Sequence, residues 1–208
     1  MENIQNVFVG TPKAGGAIWS KAYDGVVPTD AIAPLGQEYE GHGYISEDGI
    51  ANEVETETED LKAYGGRVVK TVQTSRKETY KFTPIETNAR TLKDQYGDDN
   101  VTVNAQGNLR AVHNAKLRPA RTFVIETVLS ENKVQRDVIP LGRITEVGEK
   151  KYASGSALAS EITVTCEEDA QGNTAYTYVA EIEAGSPDVA SEPLNVQGAG
   201  NGVTDDSE

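Results

Sequence analysis

The chain has 208 residues, 37% of them hydrophobic, and carries 33 acidic against 19 basic residues, a formal net charge of −14. This length predicts one domain with room for extended arms, and the lean hydrophobic content indicates a core that gains burial from outside partners. Neutralising nucleic-acid phosphates requires clustered Lys and Arg, so the acidic surplus argues against such binding. The single cysteine, Cys166, excludes an intrachain disulfide. No apolar stretch approaches the ~20 residues of a membrane span.

Residues 1–46 contain short apolar pieces between turns rich in glycine and proline. Residues 10–16 superficially suggest a phosphate-binding loop, but the Gly-Lys-Ser/Thr ending is missing. We therefore interpret them as a turn before a strand that holds Ile18 and Trp19. His42 lies between two glycines, far in sequence from His113. A lone histidine of this kind predicts a solvated or hydrogen-bonded loop residue and not a metal ligand.

Residues 47–88 combine alternation, turn residues and charge more densely than any other stretch. Glutamate alternates with Val or Thr from residue 53 to 59, which places every carboxylate on one face of an extended strand. Residues 62–81 hold six bases and a single acid, Glu78. An acidic strand followed by a basic hairpin favours one register, since each opposite-charge pair across strands contributes about 0.2–1 kcal/mol.

The turn residues divide the rest of this stretch. Gly65-Gly66 predicts one turn, and residues 67–74 and 78–83 predict two strands joined at 75–77. Thr87 is predicted to cap a short helix over 88–96 that Gly97 closes. We expect this helix to cover a sheet with the apolar stripe formed by Ala89, Leu92 and Tyr96.

Three further hairpins are predicted, by residues 101–103 with 109–112, 121–129 with 134–141, and 161–167 with 174–182. Residues 121–129 are apolar on both faces, which is typical of a strand buried on both sides. The tetrapeptide Ala-Gln-Gly-Asn occurs at 105–108 and again at 170–173, which turn chemistry alone explains. Cys166 shares a face with Ile162 and Val164 and is interpreted as an inert core thiol. About ten strands and one helix predict a mainly β sandwich or barrel-like fold.

Catalytic, metal and cofactor sites find no support. A nucleophile elbow is missing around residues 154–156, and no HExxH motif is present. Glu57 and Glu59 are neighbours on one strand face, where a solvated or salt-bridged pair outweighs an acid/base pair. Residues 47–60 lack the Asp-x-Asp-x-Asp-Gly spacing of a calcium loop. We therefore predict no enzyme activity, no metal and no cofactor.

Residues 185–208 contain five acids, no base and no large aromatic residue. A segment of this composition is expected to be disordered alone and ordered only by docking on a neighbour.

The order of three motifs closely resembles the major tail (tail tube) proteins of long-tailed bacteriophages with non-contractile tails. The motifs are residues 44–50 (YISEDGI), 57–69 (ETEDLKAYGGRVV) and 82–88 (FTPIETN), followed by Leu92 and Tyr96-Gly97, and the match covers about residues 20–145. The resemblance implies a two-layer β-sandwich or barrel-like tail-tube fold with one short flanking helix at about 87–97 and extended loop and terminal arms. Subunits of this family form hexameric rings that stack into a tube, and inner strands line the lumen through which DNA is ejected.

The resemblance also divides the chain. It implies a tail-tube β domain over residues 1–184, with an N-terminal arm at 1–16 and a long loop at 40–66 that helps to stack rings, and an acidic C-terminal arm at 185–208. The residues expected at contacts between rings or subunits are Glu47, Asp48, Gly49, Asp60, Lys62, Tyr64 and Arg67. The residues expected to form a charged wall strand are Glu53, Glu55, Glu57 and Glu59.

The implied partners are further copies of the chain, a tape-measure protein in the lumen, a tail terminator, and distal tail or baseplate proteins. DNA is expected to pass through without specific binding, no membrane is involved, and the protein is expected in the virion tail after assembly in the host cytoplasm. The alternative reading is a non-enzymatic β-sandwich module that binds a surface or decorates the virion, for which β-richness and acidity alone suffice.

Overall fold

A computed structural model describes residues 8–13, 16–130 and 132–182. The described residues are mainly β, as predicted, with one α-helix and a nine-stranded sheet at the centre. The C-terminal arm at 185–208 and most of the N-terminal arm lie outside the described residues. In chain order the elements are β1 (Thr11–Pro12), β2 (Ile18–Ala22), β3 (Glu40–Gly41), β4 (Ile45–Lys62), β5 (Val68–Pro84), α1 (Ala89–Tyr96), a 3-10 turn (Asp98–Asn100), β6 (Val101–Val103), β7 (Leu109–Ala111), β8 (Arg121–Ser130), β9 (Lys133–Val147), β10 (Ile162–Glu167) and β11 (Tyr176–Glu181).

The large sheet has the strand order β3-β2-β8-β9-β10-β5-β4, and β1 joins it beside β8 and β11 beside β9. All of its described pairings are antiparallel. β6 and β7 form a separate two-stranded ribbon, as predicted. The β8–β9 hairpin is also confirmed, but β9 continues through Pro140 to Val147. Proline is tolerated there because the β8 register skips residue 140 and both other ladders on β9 stop beside it.

The predicted hairpin of residues 161–167 with 174–182 is wrong. β10 and β11 do not pair with each other; both pair with the same edge of β9, β11 opposite residues 133–138 and β10 opposite residues 141–147. β10 also pairs with β5 on its other side, from Ile162 opposite Phe82 to Thr165 opposite Thr79. β10 and β11, which the sequence predicts to lie side by side, therefore lie end to end, because each pairs with a different part of the long β9.

The central strands are buried on both faces, as the apolar parity of β8 predicts. Phe123 and Ile125 pack in a core cluster on one face, whereas Val124 packs with Val138 and Tyr39 on the other. The first cluster is the larger and is completed by Ile18, Tyr80, Phe82, Ile139, Ile144, Ile162, Val164 and Cys166.

Cys166 is a buried thiol in this larger cluster, as the sequence indicates. Burial, together with the negative charge of Glu78, raises the pKa of Cys166 to about 12. The thiol is therefore protonated at neutral pH and is inert as a nucleophile.

Helix α1 begins and ends almost where predicted, but its cap and its buried face differ. Asn88, not Thr87, is the N-cap: its side chain accepts a hydrogen bond from Thr91 N at 2.9 Å, and Thr91 Oγ1 accepts from Asn88 N at 3.0 Å. Gly97 closes the helix with φ +96°. The predicted apolar stripe is only half-buried, and the fully buried face consists of Arg90, Thr91, Asp94 and Gln95.

A buried polar network holds this face to the sheet. His42 Nε2 lies 2.6 Å from Asp94 Oδ2, and both side chains are fully buried. Arg90 donates to Asp94 Oδ1 at 2.8 Å, to Glu40 at 3.0 Å and to Asp98 at 3.0 Å. The His42 ring packs edge-on against Phe82. Of the two predicted states, a solvated or a hydrogen-bonded loop residue, His42 adopts the second: its Nδ1 lies 3.1 Å from Ile18 O, and its ring is buried as the link between helix and sheet.

The electrostatics of Asp94 follow from this geometry. Burial raises its pKa, but the charge and hydrogen bonds of His42 and Arg90 outweigh burial, so the pKa lies below the ordinary value of 3.8. Asp94 is therefore ionised at neutral pH and paired with the buried Arg90 guanidinium, which is the condition for tolerating a charge in an apolar interior.

We predict that Asp94→Asn destabilises the fold by about 3 kcal/mol, because it removes the fully buried carboxylate that lies between Arg90 and His42. Urea denaturation at pH 7 measures this free energy of unfolding. The matched control is Asp99→Asn, which removes an exposed acid from the adjacent 3-10 turn and should change it by less than about 0.5 kcal/mol. Equal effects of the two substitutions would contradict the prediction.

The same carboxylate predicts an acid-dependent stability. Because the pKa of Asp94 is lowered in the folded state, its contribution is fully present above pH 3.8 and is lost as the pH falls below that value. We expect the stability difference between wild type and Asp94→Asn to shrink when urea titrations are repeated at about pH 3. A difference that stays constant from pH 7 to pH 3 would show that Asp94 does not ionise as described.

Candidate functional site

A long β-ribbon leaves the body of the protein between residues 51 and 77, and we call it the arm. Every residue of the arm is exposed, whereas Glu78, Thr79 and Tyr80, which follow it directly, are buried. The arm consists of the outer part of β4, a turn, and the outer part of β5. Most of the long loop predicted at 40–66 is therefore strand, and the predicted turn at 75–77 is wrong.

The continuous strand has a local reason. Ser75, Arg76 and Lys77 each find a partner across the ribbon, opposite residues 57, 56 and 55 of β4. Polar side chains that suggest a turn are therefore accommodated in a ladder that is exposed to water on both faces. The turn at the tip is where the glycines predict it: Gly66 N donates to Ala63 O at 3.0 Å, and Gly65 and Gly66 have φ of +95° and +87°.

Near the base of the arm, the residues Glu47-Asp48-Gly49 have the composition of a turn, and the sequence predicts one there. In the structure these residues interrupt the β4–β5 ladder, whose register jumps from Ile45 opposite Pro84 to Ile50 opposite Phe82. Gly49 has φ +74°, which suits a bulge that lets the strand bend. Residues 47–49 are thus a bulge in a strand.

The structure divides the seven predicted contact residues into two groups. Glu47, Asp48 and Gly49 lie at the bulge near the base, whereas Asp60, Lys62, Tyr64 and Arg67 lie at or near the tip. The eleven residue steps from Gly49 to Asp60 span about 36 Å of extended strand. The two groups therefore present separate surfaces.

Of the four wall glutamates, Glu53, Glu55, Glu57 and Glu59, the first three share one face of the arm, because they alternate along β4 in an unbroken register. The register shifts between Glu57 and Thr58, before Glu59. The wall glutamates are partly neutralised. Lys81 lies 2.9 Å from Glu53, Ser75 donates to Glu57 at 2.9 Å, and Lys77 lies opposite Glu55. The hydrogen bond and charge of Lys81 lower the pKa of Glu53. Residues 51–81 carry six acids and six bases, so the surplus negative charge lies elsewhere in the chain.

The tip of the arm exposes several large apolar side chains beside its charged residues. Tyr64 is fully exposed, Leu61 and Val69 are exposed by 62% and 64%, and Val68 and Val72 by almost half. Clustered apolar side chains of this size on a surface indicate a site of contact with another molecule.

The arm also offers two unpaired strand edges. β4 is the last strand of the described sheet, and β10 pairs with β5 only at residues 79–82, so residues 68–77 pair on one side only. Open backbone donors and acceptors of this length are a template for strand addition. A two-stranded ribbon alone is at best marginally stable in water, so the arm is suited to burial against a partner.

A cluster at the base of the arm was missed by the sequence reasoning. Glu78, 7% exposed, accepts hydrogen bonds from Asn52 at 3.2 Å, from Arg76 at 2.8 Å and from Thr174 at 2.5 Å. Burial raises its pKa, but these hydrogen bonds outweigh burial, so the pKa lies below its usual value. The available signal was that Glu78 is the single acid among the bases of residues 62–81.

Within the described part of the chain, no group of three or more His, Cys, Asp or Glu side chains is arranged to hold a metal ion. No described helix has the length and apolarity that crossing a membrane requires.

We predict that the body folds without the outer arm. Replacing residues 58–74 by Asn-Gly joins the opposed pair Glu57 and Ser75 through a two-residue hairpin turn. Because every deleted side chain is exposed, the free energy of unfolding should change by less than about 1 kcal/mol. Urea denaturation followed by tryptophan fluorescence measures it. A loss of several kcal/mol would show that the arm is part of the folding unit.

A family model described as "Phage tail tube protein" matches residues 5–189. Among solved structures, the anti-feeding prophage cap, described as its tube terminating cap, is 8% identical over 86% of this chain and 100% of that chain, with a TM-score of 0.41. The sheath/tube terminator, in the extended state, of PVC, an extracellular contractile injection system, is 9% identical over 80% and 96%, with a TM-score of 0.35. No curated protein matches the sequence. The family match spans most of the chain, and the chain therefore belongs to the phage tail tube proteins, structural and non-enzymatic components of the virion tail.

Proposed function

We propose that the chain assembles into hexameric rings that stack as the tube of a non-contractile phage tail, the conduit for DNA ejection into the host. The observation that supports this most is the arm: an exposed ribbon with large apolar side chains at its tip and two open edges, in a chain of the tail tube family. A surface of one subunit that meets a different surface of the next closes a ring by rotation and extends a tube by translation.

The two separate surfaces along β4 suit two different contacts. We propose that the tip residues Asp60, Lys62, Tyr64 and Arg67 contact the next ring, and that Glu47, Asp48 and Gly49 at the bulge contact a neighbour near the base of the arm. Leu61 and Val69 supply apolar area at the tip, and open edges allow strands of adjacent subunits to pair. Residues 40–66 then act in ring stacking as a strand and not as a loop. The proposed division is a tail-tube domain at 1–184 with an N-terminal arm at 1–16, and a C-terminal arm at 185–208.

The charge distribution supports a passive conduit. The net charge of −14 repels phosphate, and this repulsion acts over about 8 Å at physiological salt. We propose that Glu53, Glu55, Glu57 and Glu59 form part of the charged wall. The proposed partners are a tape-measure protein in the lumen before ejection, a tail terminator and distal tail or baseplate proteins, with assembly in the host cytoplasm.

We predict that Asp60→Lys impairs assembly more than folding. Asp60 accepts a hydrogen bond from Thr71 at 2.6 Å on the exposed arm, so reversing its charge should change the free energy of unfolding by less than about 0.5 kcal/mol. A misplaced charge at a repeated contact should raise the protein concentration needed for tubes at least about tenfold, which corresponds to 1.4 kcal/mol per contact.

Negative-stain electron microscopy of concentrated protein measures tube yield and length, with Asp99→Lys on the body as the matched charge reversal. Unchanged tubes together with a lowered melting temperature would contradict the role of Asp60. A wild-type protein that stays monomeric at high concentration, with no terminator or tail-tip factor able to rescue it, would favour the decoration or surface-binding module instead.

A further inference from the structure

The segment of residues 168–175, which connects β10 to β11, makes a detour that the sheet does not require, and we call it the strut. β10 ends with Glu167 opposite Leu141, and β11 begins with Tyr176 opposite Val138. Only Ile139 and Pro140 of β9 separate the two ladders, yet the connecting chain is eight residues long. The pairing of β10 and β11 with β9 therefore does not account for the length of the strut.

The strut is internally braced. Asp169 Oδ1 accepts hydrogen bonds from Gln171 N and Asn173 N, each at 2.9 Å. Asp169 Oδ2 accepts from Tyr176 Oη at 2.6 Å, and Asn173 Nδ2 donates to the same hydroxyl at 2.9 Å. These hydrogen bonds fix the shape of the loop, and Thr174, which follows Asn173, therefore has a fixed position.

Thr174 makes both of its side-chain hydrogen bonds to the base of the arm. Its hydroxyl donates to Glu78 Oε2 at 2.5 Å and accepts from Arg76 Nη1 at 2.8 Å. Arg76 and Asn52 also donate to Glu78, so β4, β5 and the strut meet at one carboxylate. Beyond this point the side chains of the arm are exposed.

The loop at residues 104–108 shares the Ala-Gln-Gly-Asn sequence with the strut, and it shows that this loop sequence alone does not produce the contacts of Thr174. Residues 104–108 close in the same way, with Asn104 Oδ1 accepting from Gln106 N at 3.0 Å and Asn108 N at 2.8 Å. The residue that follows that loop, Leu109, has no hydroxyl to offer. The contact to the arm is therefore a property of Thr174 and its position.

We propose that the strut fixes the direction in which the arm leaves the body, with Thr174 and Glu78 as the positioning residues. A ribbon exposed on both faces and open at both edges has little else to orient it, and a small angular change at the base moves the tip by many ångströms. The consequence for assembly rests on the proposed function, whereas the orientation itself is a property of the single subunit.

The test is a distance measurement between spin labels in the unassembled protein. Labels at Tyr64→Cys, on the arm tip, and Val103→Cys, on β6, report the arm direction, and the native Cys166 is buried with its pKa raised to about 12, so it should stay unlabelled. In this background Thr174→Val removes both hydrogen bonds without changing the shape of the side chain. We expect the distance distribution to broaden or its maximum to shift.

The matched control is Thr177→Val, which removes the hydrogen bond that Thr177 on β11 donates to Asp137 on β9 and touches no residue of the arm junction at Glu78. A Thr174→Val distribution that coincides with the control would overturn the proposal, as would an equal loss of melting temperature with no change in distance. Electron microscopy of the same variants without labels tests the consequence: fewer or shorter tubes support it, and normal tubes from a subunit with a displaced arm refute it. Failure of the wild type to form tubes would reject the proposed function and leave the distance result decisive for the strut.

Discussion

The β8–β9 ladder is the constraint on which the rest of the molecule depends. The two strands pair with each other along one edge. The other edge of β8 pairs with β2 and β1, and the other edge of β9 pairs with β11 and β10. Both faces are apolar and covered by separate clusters. The hydrogen bonds and both faces of this strand pair are therefore satisfied within the body. Neither β4 nor the outer half of β5 is needed to cover it, and these strands extend into water.

The second feature is that polarity, and not only apolar packing, joins the helix to the sheet. Arg90 and Asp94 occupy the buried face of α1; Arg90 pairs with Asp94, Glu40 and Asp98, and Asp94 also contacts His42. A buried ion network is a weak source of stability compared with an apolar contact of equal volume, but it tolerates few alternative arrangements. The helix is thereby held against Glu40 of β3 and His42, in the segment that leads into β4.

Under the proposed function, the arm separates folding from assembly. Its shaft carries balanced charge, its tip exposes large apolar side chains, and its edges are open, so we expect it to contribute little to the stability of the body and to supply contacts to a neighbour. A strand edge of this kind is a liability in a monomer. Here the hydrogen-bonded junction at Glu78 gives the edge a defined direction, which suits a surface meant to meet one partner in one orientation.

The sequence by itself determined the features that depend on near neighbours in the chain. Alternation predicted the shared face of Glu53, Glu55 and Glu57, glycines marked the tip of the arm and the end of α1, and the two-sided apolar pattern of β8 predicted its burial. These follow from the backbone period and local turn chemistry, and the resemblance of residues 44–88 to the tail tube family supplied the fold class.

The tertiary structure alone decided which of several possible partners each segment took. β10 and β11 look like a hairpin, but each pairs with β9. His42 is a loop residue that is buried against Asp94, on a helix more than 50 residues later, and Thr174 donates to Glu78 across 96 residues. Such choices depend on competition between distant surfaces, which no local pattern encodes.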